Sequence, residues 1–188
     1  MSRKLISLVL ALMLLLTAVA FADGIGPSKV NGDLTQVVMP PNTPAGMKVS
    51  TKEQTDYSLA VFNQLDAFIA NGNNAIDFFP TETIQKIKDA LPLGVNADNL
   101  KINEFSPLSV EGFDSTCPDL VINFEFPTEY VQGTALVVLI GYLPEDGSAT
   151  EWIIAPYMIN ADGSVDITFT TDTLAKVASG NAVLTILS

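Results

Sequence analysis

Histidine is absent from the 188 residues, arginine occurs once, at Arg3, and Cys117 is the single cysteine. Each scarcity removes a class of chemistry. Without histidine there is no Ser-His-Asp or Cys-His nucleophile system and no zinc site built on imidazole. One thiol makes neither a thiolate zinc centre nor an intrachain disulfide. Exported domains of this size fold on their core alone, so the lack of bridges is unremarkable. The glycines nowhere fall as G-x-G-x-x-G or G-x-x-x-x-G-K-[ST], which leaves no phosphate cradle. Cofactor chemistry has nothing to stand on, and the chain is expected to carry none, with calcium as the one exception weighed below.

The first residues have the three parts of an export signal. Arg3 and Lys4 form a positive start, residues 5–16 make an uncharged apolar run, and Ala20-Phe21-Ala22 gives the A-x-A pattern of a cleavage site. Cleavage after Ala22 would leave Asp23 first. The run is short of the roughly 20 apolar residues of a span, so an uncleaved anchor helix is the lesser reading. No cysteine follows it to take a lipid. Residues 182–188 show neither a second span nor a basic tail. The expectation is a secreted, extracellular protein that leaves the membrane once the signal is cut.

Removing residues 1–22 from 188 leaves 166, enough for one ordinary domain. It also removes two of the nine cations, so seven lysines face 21 acids and the net charge is −14. Nucleic-acid binding needs Lys and Arg on phosphates, and attraction to anionic lipid needs the same groups. Both partners are excluded. The acidity keeps a secreted chain soluble; cation binding is the other reading.

Residues 23–49 carry Pro27, Pro40, Pro41 and Pro44 and read as an extended leader, with a short strand over 34–39. Residues 50–70 predict a helix: Ser50 and Glu53 have capping-box spacing, Tyr57, Val61, Leu65, Phe68 and Ile69 form a stripe, and Asn71-Gly72 stops it. A second helix runs over 80–91 with Pro80 in its first turn and Ile84, Ile87 and Leu91 on one side. The apolar stretch 75–79 between them suits packing beneath both. The helical segment thus covers 50–95.

From residue 96 the period becomes two. Strands are expected over 100–110, interrupted at Pro107, and over 120–126, with Leu120, Ile122, Phe124 and Phe126 on one face. Residues 135–143 are a continuous apolar run that fits a strand covered on both sides. Residues 151–159 follow a turn, and Pro156 confines part of that strand to an edge or a bulge. Asn160-Ala-Asp162-Gly163 turns into 165–169, a short helix occupies 172–179, and 182–187 returns to the sheet interior. Helices followed by antiparallel strands mean an α+β fold: N-terminal helices, then an antiparallel β-sandwich, Ig-like in style, with one short helix before the last strand. Residues 50–188 are expected to form one compact unit.

Particular stretches of the second half carry a resemblance. Asn103-Glu104-Phe105-Ser-Pro107-Leu108, then Phe124-Glu-Phe-Pro-Thr-Glu-Tyr130, Leu139-Ile140-Gly141, Trp152 and Asp162-Gly163 resemble short exported proteins of anaerobic, often gut-dwelling, Gram-positive bacteria. The likeness spans residues 75–188. Its motifs are turns and core strands, so it implies compartment and fold, and no particular activity.

Carboxylates are the only catalytic groups in supply. A glycosidase needs two acids at a fixed distance, one kept protonated by its surroundings. Glu104, Glu125, Glu129 and Glu151 sit near apolar or aromatic neighbours, whereas Glu125 and Asp166 suit exposed strand faces. Calcium wants six to eight oxygens, and residues 71–77, 96–99 and 160–163 are oxygen-rich, with Asn160 and Asp162 the candidate ligands. None has the full calcium-loop pattern, and Asn and Asp also serve turns for their own geometry. Trp152 and Tyr157 are the candidate sugar-stacking platform, against the reading of both as core. Cys117 reads as a small buried residue, because neighbouring acids raise a thiol pKa.

Three functions remain. The favoured one is a non-catalytic extracellular module that binds a surface protein or a glycan. The alternative is a small carboxylate-dependent glycan hydrolase. A third is self-assembly through an open edge strand. N-terminal sequencing of the secreted protein should read Asp23-Gly24-Ile25. A protein that keeps Met1 and stays in the membrane fraction would instead carry an anchor.

Overall fold

A computed structural model describes residues 35–144, 146, 148–178 and 180–188. The expected export signal with its cleavage residues Ala20 and Ala22, and residues 23–34 of the leader, lie outside the described residues.

The strands are β1 (Gln36–Val38), β2 (Lys48–Ser50), β3 (Ile102–Glu111), β4 (Leu120–Glu125), β5 (Val137–Tyr142), β6 (Glu151–Ala155), β7 (Tyr157–Ile159), β8 (Val165–Phe169) and β9 (Ala182–Leu187). The helices are α1 (Asp56–Ala70), α2 (Thr81–Ala90) and α3 (Thr171–Ala178), with single 3-10 turns at Ala75–Phe78 and Ala97–Asn99. Two antiparallel sheets stack as a sandwich, one ordered β1-β4-β8-β7 and the other β2-β3-β9-β5-β6. The fold is α+β.

Burial patterns along the strands reveal the layering. β5 and β9 are buried at every position, as their apolar runs, broken in β9 only by Thr185, require when both faces of a sheet are covered. One face meets the other sheet: Ile122, Phe124, Ile167 and Phe169 pack on Val138, Ile140, Leu184 and Ile186. The opposite face meets α1, the first 3-10 turn and α2 through Val61, Leu65, Ile76, Phe79 and Ile87. α3 adds Leu174 and Val177 to the inter-sheet core. By contrast β4 alternates buried and exposed, because all of the helix cover lies on the other sheet.

Three expectations need correction. Ser50 and Glu53 do not cap α1. Ser50 is paired with Ser109 in β2, and the sheet pairing overrides the local motif. The cap is Thr55, whose Oγ1 accepts from Ser58 N–H while Ser58 Oγ accepts from Thr55 N–H. That is the same reciprocal box, set next to where the apolar stripe begins. Pro107 does not interrupt β3 either. It pairs with Val183 of β9, while β2 reaches only Ser109 to Glu111 on the other side, so a missing N–H is tolerated on the unpaired edge. The part of the leader from residue 36 onward supplies edge strands to both sheets, and the boundary drawn at residue 50 falls inside β2.

Pro156 separates β6 from β7, and the chain changes sheet there: β6 is an edge of the five-stranded sheet and β7 an edge of the four-stranded one. Opposite Trp152 on β5 stands Gly141. A Cβ at Gly141 would lie 2.7 Å from the indole Cζ3, so the glycine makes room for the ring. Phe79 then meets Trp152 edge-on, with centroids 4.9 Å apart.

Replacing Gly141 by Ala should therefore destabilise the fold by about 1–3 kcal/mol, measured by urea unfolding. Trp152 is the sole tryptophan, and its emission should shift to the red in this variant as the ring is displaced. An unchanged midpoint would mean that the indole moves aside at no cost.

Candidate functional site

The outer face of the four-stranded sheet bears no helix and no strand among the described residues. Strand alternation and register dictate what it presents. Val38 pairs with Asn123, Asn123 with Asp166, and Asp166 with Met158, so these four side chains form one row across all four strands. Gln36 and Glu125 make the next row on one side, Val121 and Thr168 the next on the other. Val38, Val121 and Met158 are 50%, 51% and 59% exposed. The remaining large exposed apolar residues, Leu59, Leu93, Val95 and Val131, are scattered over α1 and loops, where single apolar residues are ordinary.

A fixed polar network runs from the middle of this face to the turn that precedes β8. Asp166 Oδ1 accepts from Asn123 Nδ2 at 2.7 Å and from Asn160 Nδ2 at 2.9 Å. Both amide nitrogens also donate to Ser164 Oγ, at 2.9 and 3.1 Å. Ser164 in turn donates its hydroxyl and its N–H to Asp162 Oδ1, at 2.7 and 3.0 Å. A carboxylate only accepts, so the amides of Asn123 and Asn160 are held with nitrogen inward. The two bonds from Ser164 hold the Asp162 carboxyl below its ordinary value. Gly163 completes the turn with a φ of +84°, and a Cβ there would press on Glu129 at 3.2 Å. Its carbonyl accepts from Tyr130 N–H, which clamps the loop after β4 onto the turn. Between them lies a groove of about 320 Å³ lined by Glu125, Phe126, Glu129, Asp162, Gly163 and Ser164.

Other anticipated residues are dispersed. Trp152 and Tyr157 do not form a platform. Trp152 is 8% exposed beneath the helices, whereas Tyr157 stands on the other sheet, packed on the inter-sheet core, and its hydroxyl accepts from Leu136 N–H at 3.0 Å. The change of sheet at Pro156 sends the two rings to different layers. Glu151, at the start of β6, accepts from the hydroxyl of Tyr142. Glu104 is buried in β3, on the inter-sheet side; Tyr130 there is pushed up by burial and, second, by the Glu104 charge. Cys117 is buried with Sγ 3.5 Å from Met47 Sδ, and burial, then Asp114 and Asp119, raise its thiol pKa.

The oxygen-rich loops engage their own backbone. Asn73 Nδ2 donates to Phe68 C=O at the end of α1, and Asn96 Oδ1 accepts from Asp98 N–H. Asn160 and Asp162 are brought together by Ser164, with Asn160 offering nitrogen to the network. Among the described residues no group of three or more Asp, Glu, Cys or His is placed to hold a metal ion.

No family model matches this chain, and neither a curated protein nor a solved structure shows significant similarity to it. The geometry alone carries the functional reading. Sequence reasoning placed Glu125 and Asp166 on exposed faces but missed the two adjoining rows they belong to. The signal that was legible is the exposed Val121 on a strand whose alternate residues are core.

Asp162 makes a checkable prediction. A carboxyl whose pKa falls on folding stabilises the fold above its unfolded value, and that contribution is lost as pH drops through the lowered folded value. Ser164→Ala should raise the Asp162 midpoint toward its ordinary 3.8, read by NMR titration of the side-chain carbonyl. The variant should also lose less stability than the parent as pH falls through the region below about 4.

Proposed function

We propose that residues 23–188 are a secreted, non-catalytic module that binds an extracellular protein or glycan through the outer face of the four-stranded sheet. The observation that carries this reading is the asymmetry of the sandwich. One sheet is sealed by helices, and the other turns outward an open face with three large aliphatic side chains, two of them, Val38 and Met158, at opposite ends of one row. Exposed aliphatic side chains gathered on one uncovered sheet face and set among polar groups are a feature of interaction surfaces. The Asn123–Asp166–Asn160–Ser164 network is already ordered before any partner arrives, which lowers the entropic cost of docking.

The hydrolase reading draws on the groove where Glu125, Glu129 and Asp162 meet. It needs one acid held protonated at neutral pH. The pull of Ser164 on Asp162 runs the other way and keeps that carboxyl ionised. The module is therefore the better-supported function.

The test uses the mature chain and a variant with Val121→Asp and Met158→Asp. Both positions are more than half exposed, so the variant should unfold at the parent's temperature. Binding to intact bacterial and host-type cells, isolated cell walls and a glycan panel is measured for both proteins. Binding by the parent that falls about tenfold or more in the variant, about 1.4 kcal/mol, supports the face as the site. Equal binding by the two proteins places the site elsewhere, and release of sugar fragments from a glycan would make the chain a hydrolase.

A further inference from the structure

This inference rests on the reading of the open face as the binding surface, and concerns what the face takes. The row Val38–Asn123–Asp166–Met158 is aliphatic at both ends and acidic in the middle. Neighbouring strands lie about 4.8 Å apart, so the row is about 14 Å long, with its polar centre about 7 Å from either aliphatic end. The polar centre has a definite chemical sense. Both amide nitrogens are committed inward, so Asn123 Oδ1 and Asp166 Oδ2 are left to face a visitor, with the Glu125 carboxylate in the adjoining row. The centre accepts hydrogen bonds and donates none. No lysine or arginine occurs in any of the four strands, so the face has one sign of charge.

An extended polypeptide repeats its same-side residues about every 6.7 Å. Three alternate side chains therefore cover about 13 Å, the length of the row. We propose that the face docks an extended segment of a partner protein laid across the strands, with aliphatic, basic and aliphatic residues at alternate positions. The central lysine or arginine meets Asp166 and Asn123, and the outer two side chains rest on Val38 and Met158. Charge complementarity selects this occupant over a second copy of the chain. Two such faces together would oppose Asp166 and Glu125 to the same acids, between molecules that each carry a net charge of −14. It also selects it over an uncharged glycan, whose hydroxyls donate to the same oxygens but bring no net positive charge to answer the negative field.

The probe is the capped peptide Thr-Val-Thr-Lys-Thr-Val-Thr, with the same peptide bearing Glu in place of Lys as its counterpart. Each is titrated into ¹⁵N-labelled residues 23–188. The lysine peptide should move amide signals of β1, β4, β7 and β8, bind about tenfold or more tightly than the glutamate peptide, and weaken between low and high salt. Asp166→Asn should weaken binding, and because Asp166 also belongs to the network, Glu125→Gln provides the independent check: the same direction, with the fold intact. Asp89→Asn on α2 should change nothing. Equal affinity for the two peptides, signals moving elsewhere, or no response at millimolar peptide would overturn the proposal. A glycan or an acidic peptide that moves the same signals would overturn this partner while leaving the open face as the binding surface. Insensitivity of cell binding to the Val121→Asp, Met158→Asp variant would remove the face itself.

Discussion

The burial of β5 and β9 on both faces is the constraint on which the other layers depend. These two strands lie side by side within the five-stranded sheet, and neither has a residue that reaches solvent. A strand of that kind is stable only between two apolar layers. The helices supply one layer and the four-stranded sheet the other, so the order of layers follows from twelve buried positions in two short runs, apolar but for Gly141 and Thr185. The four-stranded sheet, lying outermost, needs only one apolar face. Its other face is free to vary, and that freedom is what the proposed docking surface uses.

Much of this order is readable from residue pattern. The change of period from helical spacing to alternation near residue 100, the apolar runs and the short helix before the last strand all find their counterparts in the structure. Pro156 was readable as the mark of an edge or a bulge within one strand; the chain instead divides there into two strands, each an edge of its own sheet. Local motifs fared worse where tertiary pairing competed with them. Ser50 has a cap's spacing and a strand's position, and the strand wins because Val49 beside it is buried against the sandwich. Pro107 shows the reverse: a residue that breaks strands is accepted where the neighbouring strand has already ended.

The candidate face was less legible for a physical reason. Asn123, Asn160, Ser164 and Asp166 are spread over 44 positions, and only the antiparallel register of β4 with β8 brings Asn123 to the other three, through hydrogen bonds of 2.7 and 2.9 Å. Sequence reading assigned Asn160 and Asp162 to a loop with spare oxygens. In the folded chain one offers its nitrogen and the other answers Ser164. Likewise Trp152 and Tyr157, five residues apart, belong to separate layers because the backbone crosses between sheets in the interval.

The place of β9 has a consequence for how the molecule is assembled. The strand is drawn from the C-terminal end of the sequence, yet it lies between β3 and β5, and its partner residues in β3 are some 80 positions earlier. Until residues 182–187 are present, the larger sheet has a vacancy in its interior, and both apolar layers lack the surface they close upon. A nascent chain of this topology cannot complete its larger sheet early, since those non-local pairings must come late. Under the proposed export, lateness is useful: a polypeptide that cannot finish its sheet early remains thread-like while it is being passed across a membrane.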